Sequence, residues 1–439
     1  MKALGARRSA PAREVDANPR DFLGAAPSTW AEKVALYPNV DRRLQLELDH
    51  RLRLVSEVAR LLPALTARNA PEERARLLRA FGRDQPLVPE WSVQRGKVER
   101  RAWRALAEAR ALAPQCLAGE LYLARLDELE LELVLMESLG DARRVRPMAA
   151  RRFGTGAREV TLGTRRCSIA EVADVLLEEV RGSEEPPQLP ADAPEGPSLG
   201  GWMRTLAQLA GLRVDVKVEP RLVANAAAGD RTVYVRDARF GEREARRLAV
   251  HEVLGHLVAA ANGRSQPLAL LSVGTAGAFA DQEGLCLTLE ELHGFLDGHR
   301  VRTLAGRVVA TDAMHRGASF DETTRLLHRD HGFKAEDALA LGERAYRGGG
   351  VARDAAYLYG WLRVRRAVHE GDATVDEMRL GKVGLDDVPT LRRLREEGHI
   401  REGVYRPSLA RSRAATQLGT SRSTSPPSFA ASLIRFEET

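Results

Sequence analysis

Apolar residues recur at helical spacing along most of this 439-residue chain and switch to alternation in a single window, which restricts the fold to a mainly helical body carrying a small sheet. Leu44, Leu46, Leu48, Leu52, Leu54, Val55, Val58, Leu61 and Leu62 form a helical pattern up to Pro63. Pro71 with Glu72 and Glu73 opens a second helix, and residues 98–112 and 116–139 continue the pattern. Residues 39–146 are therefore expected to form an N-terminal helical unit. Residues 1–38 mix Ala, Pro, Arg and Asp without periodicity and read as a flexible leader. Residues 147–156 read as a joint, and the acidic, Pro-rich stretch 183–199 can continue neither a helix nor a central strand.

The alternating window begins after that stretch. Residues 212–218 alternate strictly, residues 232–236 are β-branched and aromatic, and Ala228-Gly229-Asp230 reads as the turn between them. The expectation is a small, mostly antiparallel sheet. A strand over residues 232–236, if it lies at the sheet edge, can pair with an extended peptide. A helix then starts near Gly241, runs through His251 and His256, and is expected to exit at Asn262-Gly263. Helices broken at Gly298, Gly317, Gly332 and residues 348–350 fill the chain to about residue 397. Residues 147–400 make up the second unit, and residues 401–439, rich in Ser, Thr, Arg and Pro, read as a disordered tail. The fold class is α+β, mostly α.

Composition narrows the function classes. Apolar residues at 44% and charged residues at 29% exclude a wholly disordered or disulfide-scaffold chain. Lys and Arg total 67 against 61 acids, too small an excess over this length to argue for nucleic acid. Cys116, Cys167 and Cys286 are odd in number and far apart, so neither a disulfide framework nor a CxxC knuckle can be drawn. The longest apolar run, residues 268–280, is too short for a membrane span and is broken by Gly274 and Gly277. With no secretory signal pattern in the first 30 residues, a cytoplasmic protein without membrane or nucleic-acid partners is expected.

Chemistry concentrates in His251-Glu252-Val253-Leu254-Gly255-His256. The common zinc-binding helix, HExxH, sets two imidazoles four residues apart on one face with a Glu between them as general base. Here the interval is five, and in a regular α-helix residues five apart differ by roughly 140°. A single π-type turn absorbs the extra residue and returns the second His to the face of the first, and Gly255, with no Cβ, suits such a turn. A carboxylate to complete a two-His site is offered by Glu283 in Gln282-Glu283-Gly284-Leu285-Cys286, 27 residues after His256 and on the next helix. Cys286 reads as a packed thiol, and the remaining histidines as surface residues.

The ordered trio of the HExxxH hexapeptide, Gln266-Pro267-Leu268 and the QEGLC pentapeptide resembles the zinc peptidases that include the microtubule-associated tyrosine carboxypeptidases. Their bacterial relatives are the flavohaemoglobin expression-modulating QEGLC motif proteins. The resemblance continues through residues 343–350, Arg353-Asp354 and residues 357–360, and spans about residues 45–370. It implies a zincin-like metallopeptidase core, one catalytic Zn2+ on His251, His256 and Glu283, and Glu252 as catalytic base. It further implies a protein or peptide C-terminal tail as substrate, with an aromatic residue, Tyr in the family, released. Exopeptidase specificity needs a cation for the free carboxylate, for which Arg347 beside Gly348-Gly349 is the first candidate; the other reading is a helix-end Arg bonding carbonyls. Tyr346 and Tyr357 can either donate a phenol to the oxyanion or pack. A zinc amidase acting on a small acylated amino acid, and a non-catalytic regulator keeping the fold, are the alternatives.

Overall fold

The computed structural model describes residues 42–417 apart from 94, 182–185, 221, 223 and 230. The expected leader over residues 1–38 and the last part of the tail, residues 418–439, lie outside the described residues. Helices dominate and the strands are short, as the periodicity requires.

Near the N-terminus, the helices Arg42–Val58, Arg100–Leu112 and Gly119–Ser138 close on one another. Leu48, Leu52 and Val55 on the first meet Ala102, Ala105, Leu106 and Ala109 on the second and Tyr122, Leu126, Leu129 and Leu133 on the third, all buried. Leu270 from the second half of the chain joins the same cluster. Polar ties reinforce the contact: Asp49 Oδ1 accepts from the Tyr122 hydroxyl at 2.5 Å and from the Ala269 N–H at 3.1 Å. Farther along the third helix, Glu128 accepts from the Gly277 N–H at 2.9 Å, one residue before the helix that carries Glu283 begins. Glu128 and Glu132 are held in turn by the buried guanidinium of Arg152.

Pro147 does not break the chain; it sits inside the helix Ala142–Phe153, and the joint falls at Gly154, where φ is +82°. A hairpin that the periodicity did not announce follows, pairing Glu159–Leu162 with Arg165–Ser168. Ser168 then caps the helix Ile169–Glu179 in a reciprocal box with Glu171.

The alternating window contains three strands, not two. Thr232–Val235 is central, with Asp215–Val218 parallel on one side and Ala226–Ala228 antiparallel on the other. The antiparallel expectation thus holds for the pair 226–228/232–235 and for the hairpin, while the outer pair is parallel, because Asp215–Val218 and Ala226–Ala228 flank Thr232–Val235 on opposite sides and run in opposite directions. Residues 232–236 are consequently not at an edge, and Ala226–Ala228 is. Val233 and Val235 are buried while Tyr234 points outward, the alternation that marked the segment.

The helix after the sheet is continuous through three segments: α-helical Glu242–Ala249, π-helical Val250–Leu257 and α-helical Val258–Ser265. Asn262-Gly263 does not end it. The Asn262 amide is buried and pairs with the carbonyls of Arg379 and Tyr405 and the N–H of Tyr405, while a Cβ on Gly263 would meet the Leu271 carbonyl oxygen at 2.4 Å. Both residues are packing positions of a helix that runs on. Residues 401–417 are not a loose tail: Gln266 takes the N–H and carbonyl of Arg401 at 2.8 Å each, and the helix Leu409–Gln417 docks with Ser412 on His293 and with the Thr416 carbonyl on Arg246. Among the described residues no helix is long and apolar enough to cross a membrane.

Candidate metal centre

The π-helical segment does what the five-residue interval demanded. It turns His251 and His256 to one side, with ring centroids 5.0 Å apart and planes at 75°. Against this face packs the helix Ala278–Leu292, which supplies Glu283. That helix sits unusually close to Ala355–Glu370, because Gly284 and Gly360 face each other: a Cβ on Gly284 would lie 2.2 Å from the Gly360 oxygen. Gln282 fixes its register by donating to the carbonyls of Met378 and Val383, both at 3.0 Å. Glycine and glutamine of the pentapeptide therefore position the carboxylate between them.

Glu283 Oε2 lies 3.3 Å from His251 Nε2 and 3.6 Å from His256 Nε2. It is buried and has no hydrogen-bond partner of good geometry. Tetrahedral zinc with ligands at about 2.0–2.2 Å spaces those ligands about 3.3–3.6 Å apart, so the Glu283 oxygen stands at that separation from each imidazole nitrogen. An orphaned buried carboxylate oxygen facing two imidazole nitrogens fits a divalent cation. Burial opposes charge on His251, but the Glu283 and Glu290 carboxylates outweigh it and push its pKa up to about 9. Burial would raise the Glu283 carboxyl, and the two imidazoles instead hold it well below the ordinary range.

Behind His251 lies a residue the sequence did not single out. Glu290, fully buried, takes His251 Nδ1 at 2.7 Å, and is held by Arg300 at 3.1 and 3.2 Å and by Arg247 at 3.2 Å. Once the Nε2 proton is lost, Nδ1 donating to this carboxylate leaves the lone pair on Nε2, the nitrogen that faces Glu283. Burial would lift the Glu290 carboxyl, and Arg300, Arg247 and His251 hold it below the usual carboxylate range. The available signal was its place seven residues, two turns, after Glu283 on the same face.

Glu252, 5% exposed, points Oε2 at the Ala228 N–H, 2.8 Å away. The carboxylate of the hexapeptide is thereby tied to the sheet edge Ala226–Ala228. Cys286 offers a second donor set, since one ligand atom each from His251, His256 and Cys286 lie within 4.8 Å of one another. The Glu283 oxygen faces both Nε2 atoms, whereas burial and the neighbouring Glu283, Glu252 and Glu290 push the thiol well above its ordinary pKa.

The three remaining candidates separate. Tyr346 does not reach the site: its hydroxyl donates to the Ala318 carbonyl at 2.5 Å, meets Thr323 Oγ1 at 2.7 Å, and its ring packs on Phe320. A phenol so engaged has no proton for an oxyanion, and Tyr346 is a packing residue. Tyr357 packs against Phe279, which precedes Glu283 by one turn; the Arg307 guanidinium lies 4.7 Å over its ring. Its hydroxyl makes no hydrogen bond among the described residues, and burial followed by the Glu283 charge pushes its pKa up. Arg347 occupies a sharp bend, with extended backbone at ψ 146° followed by left-handed Gly348 and Gly349. It is 5% exposed, its Nε has no partner, and burial together with Arg344 brings its pKa down to about 10.

Arg347 belongs to a cationic cluster. Arg344 pairs with buried Asp354, Arg307 stands 4.0 Å from the same carboxylate, and Arg353 stacks 4.4 Å over Phe279. Nε of Arg307, Arg347 and Arg353 and Oδ1 of Asp354 are buried without hydrogen-bond partners. Burial and Arg344 lower the Arg307 pKa to about 9. Guanidinium groups thus outnumber carboxylates in a largely buried cluster that reaches Phe279, one helical turn before Glu283, through Arg353, an arrangement that favours an incoming anion.

A model of the microtubule-associated tyrosine carboxypeptidase family matches residues 94–425. No curated protein and no solved structure matches the chain.

Proposed function

The chain belongs to the microtubule-associated tyrosine carboxypeptidase family, and from that premise we propose that it is a zinc-dependent carboxypeptidase with a zincin-like core. One observation carries the metal reading: Glu283 Oε2, buried without a hydrogen-bond partner, faces Nε2 of both His251 and His256 at ligand-to-ligand spacing. His251, His256 and Glu283 would hold the ion, displacing the protons those groups share without it. Bound there, zinc supplies Lewis-acid polarisation of a carbonyl oxygen and acidifies water toward a pKa of about 7.

The chain's own residues supply the remainder. Glu252 takes the proton of the attacking water and returns one to the leaving amine, while the Ala228 N–H fixes the carboxylate that does so. Tyr357 offers its uncommitted hydroxyl to the developing oxyanion. Arg347 and Arg353, with uncommitted Nε groups, take the substrate's free carboxylate, and Phe279 and Tyr357 receive an aromatic side chain. The outer edge of Ala226–Ala228 replaces residues 232–236 as the backbone available to an extended peptide.

The test is zinc analysis of wild type and His256→Ala, with mass spectrometry of peptides ending in free or amidated Tyr. Wild type is expected to carry one zinc per chain and to trim only the free-acid peptides, and His256→Ala to lose both properties. Cleavage of small acylated amino acids without trimming of peptides would replace this reading with an amidase. A further outcome follows for the cationic wall. Arg353→Gln should lower kcat/KM on free-acid peptides about 10–100-fold, the range of one charge-assisted hydrogen bond, mainly through KM, and so narrow the preference over amidated peptides. An unchanged preference would remove Arg353 from carboxylate recognition.

A further inference from the structure

A metal-binding imidazole is ordinarily aimed by a partner on its other ring nitrogen, and the two histidines differ in this respect. His251 has Glu290. The His256 ring, in contrast, meets Glu283 but makes no second hydrogen bond among the described residues. Its direction must come from its backbone, which lies in a turn that is one residue too wide for a regular helix.

Cys286 is the group that touches that turn. It is fully buried and fills the space beside Gly255: a Cβ there would lie 2.2 Å from Sγ and 3.3 Å from the Cys286 Cβ. Cys286 follows Glu283 by three residues, so carboxylate and thiol project from one face of one helix onto one turn of another. Glu283 meets the imidazole rings, and Cys286 meets the main chain that carries the second ring. We infer that Cys286 is a positioning residue of the metal centre: its thiol, seated in the gap left by Gly255, holds the widened turn and thereby aims His256 at the ion without ligating it.

The inference rests on the metal reading above, and the experiment separates the two. Zinc affinity is measured by chelator competition for wild type, Cys286→Ala, Cys286→Ser, Gly255→Ala and the double variant Gly255→Ala/Cys286→Ala, with folding checked by circular dichroism. Cobalt-substituted wild type is examined for a thiolate charge-transfer band. Cys286→Ala should bind zinc about tenfold more weakly, the low end of the range for groups that orient ligands, and Cys286→Ser should recover part of the loss because its oxygen fills part of the space beside Gly255. Gly255→Ala should also weaken binding, and the double variant should bind more tightly than Gly255→Ala alone, since the new methyl enters the space the sulfur vacates. The cobalt protein should lack the thiolate band. Undiminished affinity in Cys286→Ala, or strictly additive effects, would overturn the inference while leaving the zinc site standing. A thiolate band would overturn it in favour of ligation by Cys286. Wild type without stoichiometric zinc would overturn the proposed function itself.

Discussion

Glu252→Gln is expected to keep one zinc per chain and to lose about 10²–10⁴-fold in kcat, with KM little changed. The amide keeps the volume of the carboxylate and can still accept from the Ala228 N–H, so the sheet edge and the π-helical segment should hold their places. What it loses is basicity. An amide oxygen cannot take a proton from water near neutral pH, nor pass one to the leaving amine, and the proposed mechanism gives both proton transfers to this one group. Single-turnover release of a C-terminal Tyr, with zinc content assayed on the same sample, checks the result. Full activity in Glu252→Gln would place the general base elsewhere, and loss of zinc would show that Glu252 acts in binding.

Removing the charge behind His251 should disturb stability and metal affinity together. Glu290 is fully buried and faces Arg247, Arg300 and His251 at once. Glu290→Ala leaves two largely buried guanidinium groups without their counter-charge, a change that costs about 3–5 kcal/mol when one partner of a buried pair is removed. It also frees Nδ1 of His251, so the ring loses both its fixed tautomer and its orientation, for which zinc affinity should fall about 10–100-fold. Glu290→Gln, which can still accept from Nδ1, should recover more of the affinity than of the stability. Chemical denaturation of metal-free protein and chelator competition read the two effects separately. If both variants match wild type in affinity, Glu290 does not support the site.

The parts of the centre that were legible in the sequence are those set by local geometry. An interval of five between histidines, with a glycine before the second, forces a widened turn if the two are to share a ligand, and the helix widens over Val250–Leu257. Glu290 was not legible, since only the packing of two helices brings it to His251. Ala226–Ala228 was missed for a different reason: a run of alanines has little strand preference, and these are extended because Thr232–Val235 pairs with one side. At Asn262-Gly263 a sound local signal for a helix end was overridden by tertiary contacts. The Asn262 amide and the closeness of Gly263 to Leu271 are uses of the same residue types that no local pattern announces. Residues 401–417 lacked periodicity because much of their order comes from side chains far away in the chain, Asn262, Gln266 and His293. Tyr346 and Tyr357 are alike in composition and context, and only their partners distinguish a satisfied phenol from an open one.

The convergence of two imidazoles and one carboxylate on a single ion is tested most directly by anomalous diffraction from zinc-loaded crystals, recorded on either side of the zinc absorption edge. One peak per chain is expected, at about 2.0–2.1 Å from Nε2 of His251 and His256 and about 2.0–2.2 Å from a Glu283 oxygen. A peak elsewhere, or one with Cys286 Sγ at about 2.3 Å in place of Glu283, would contradict it.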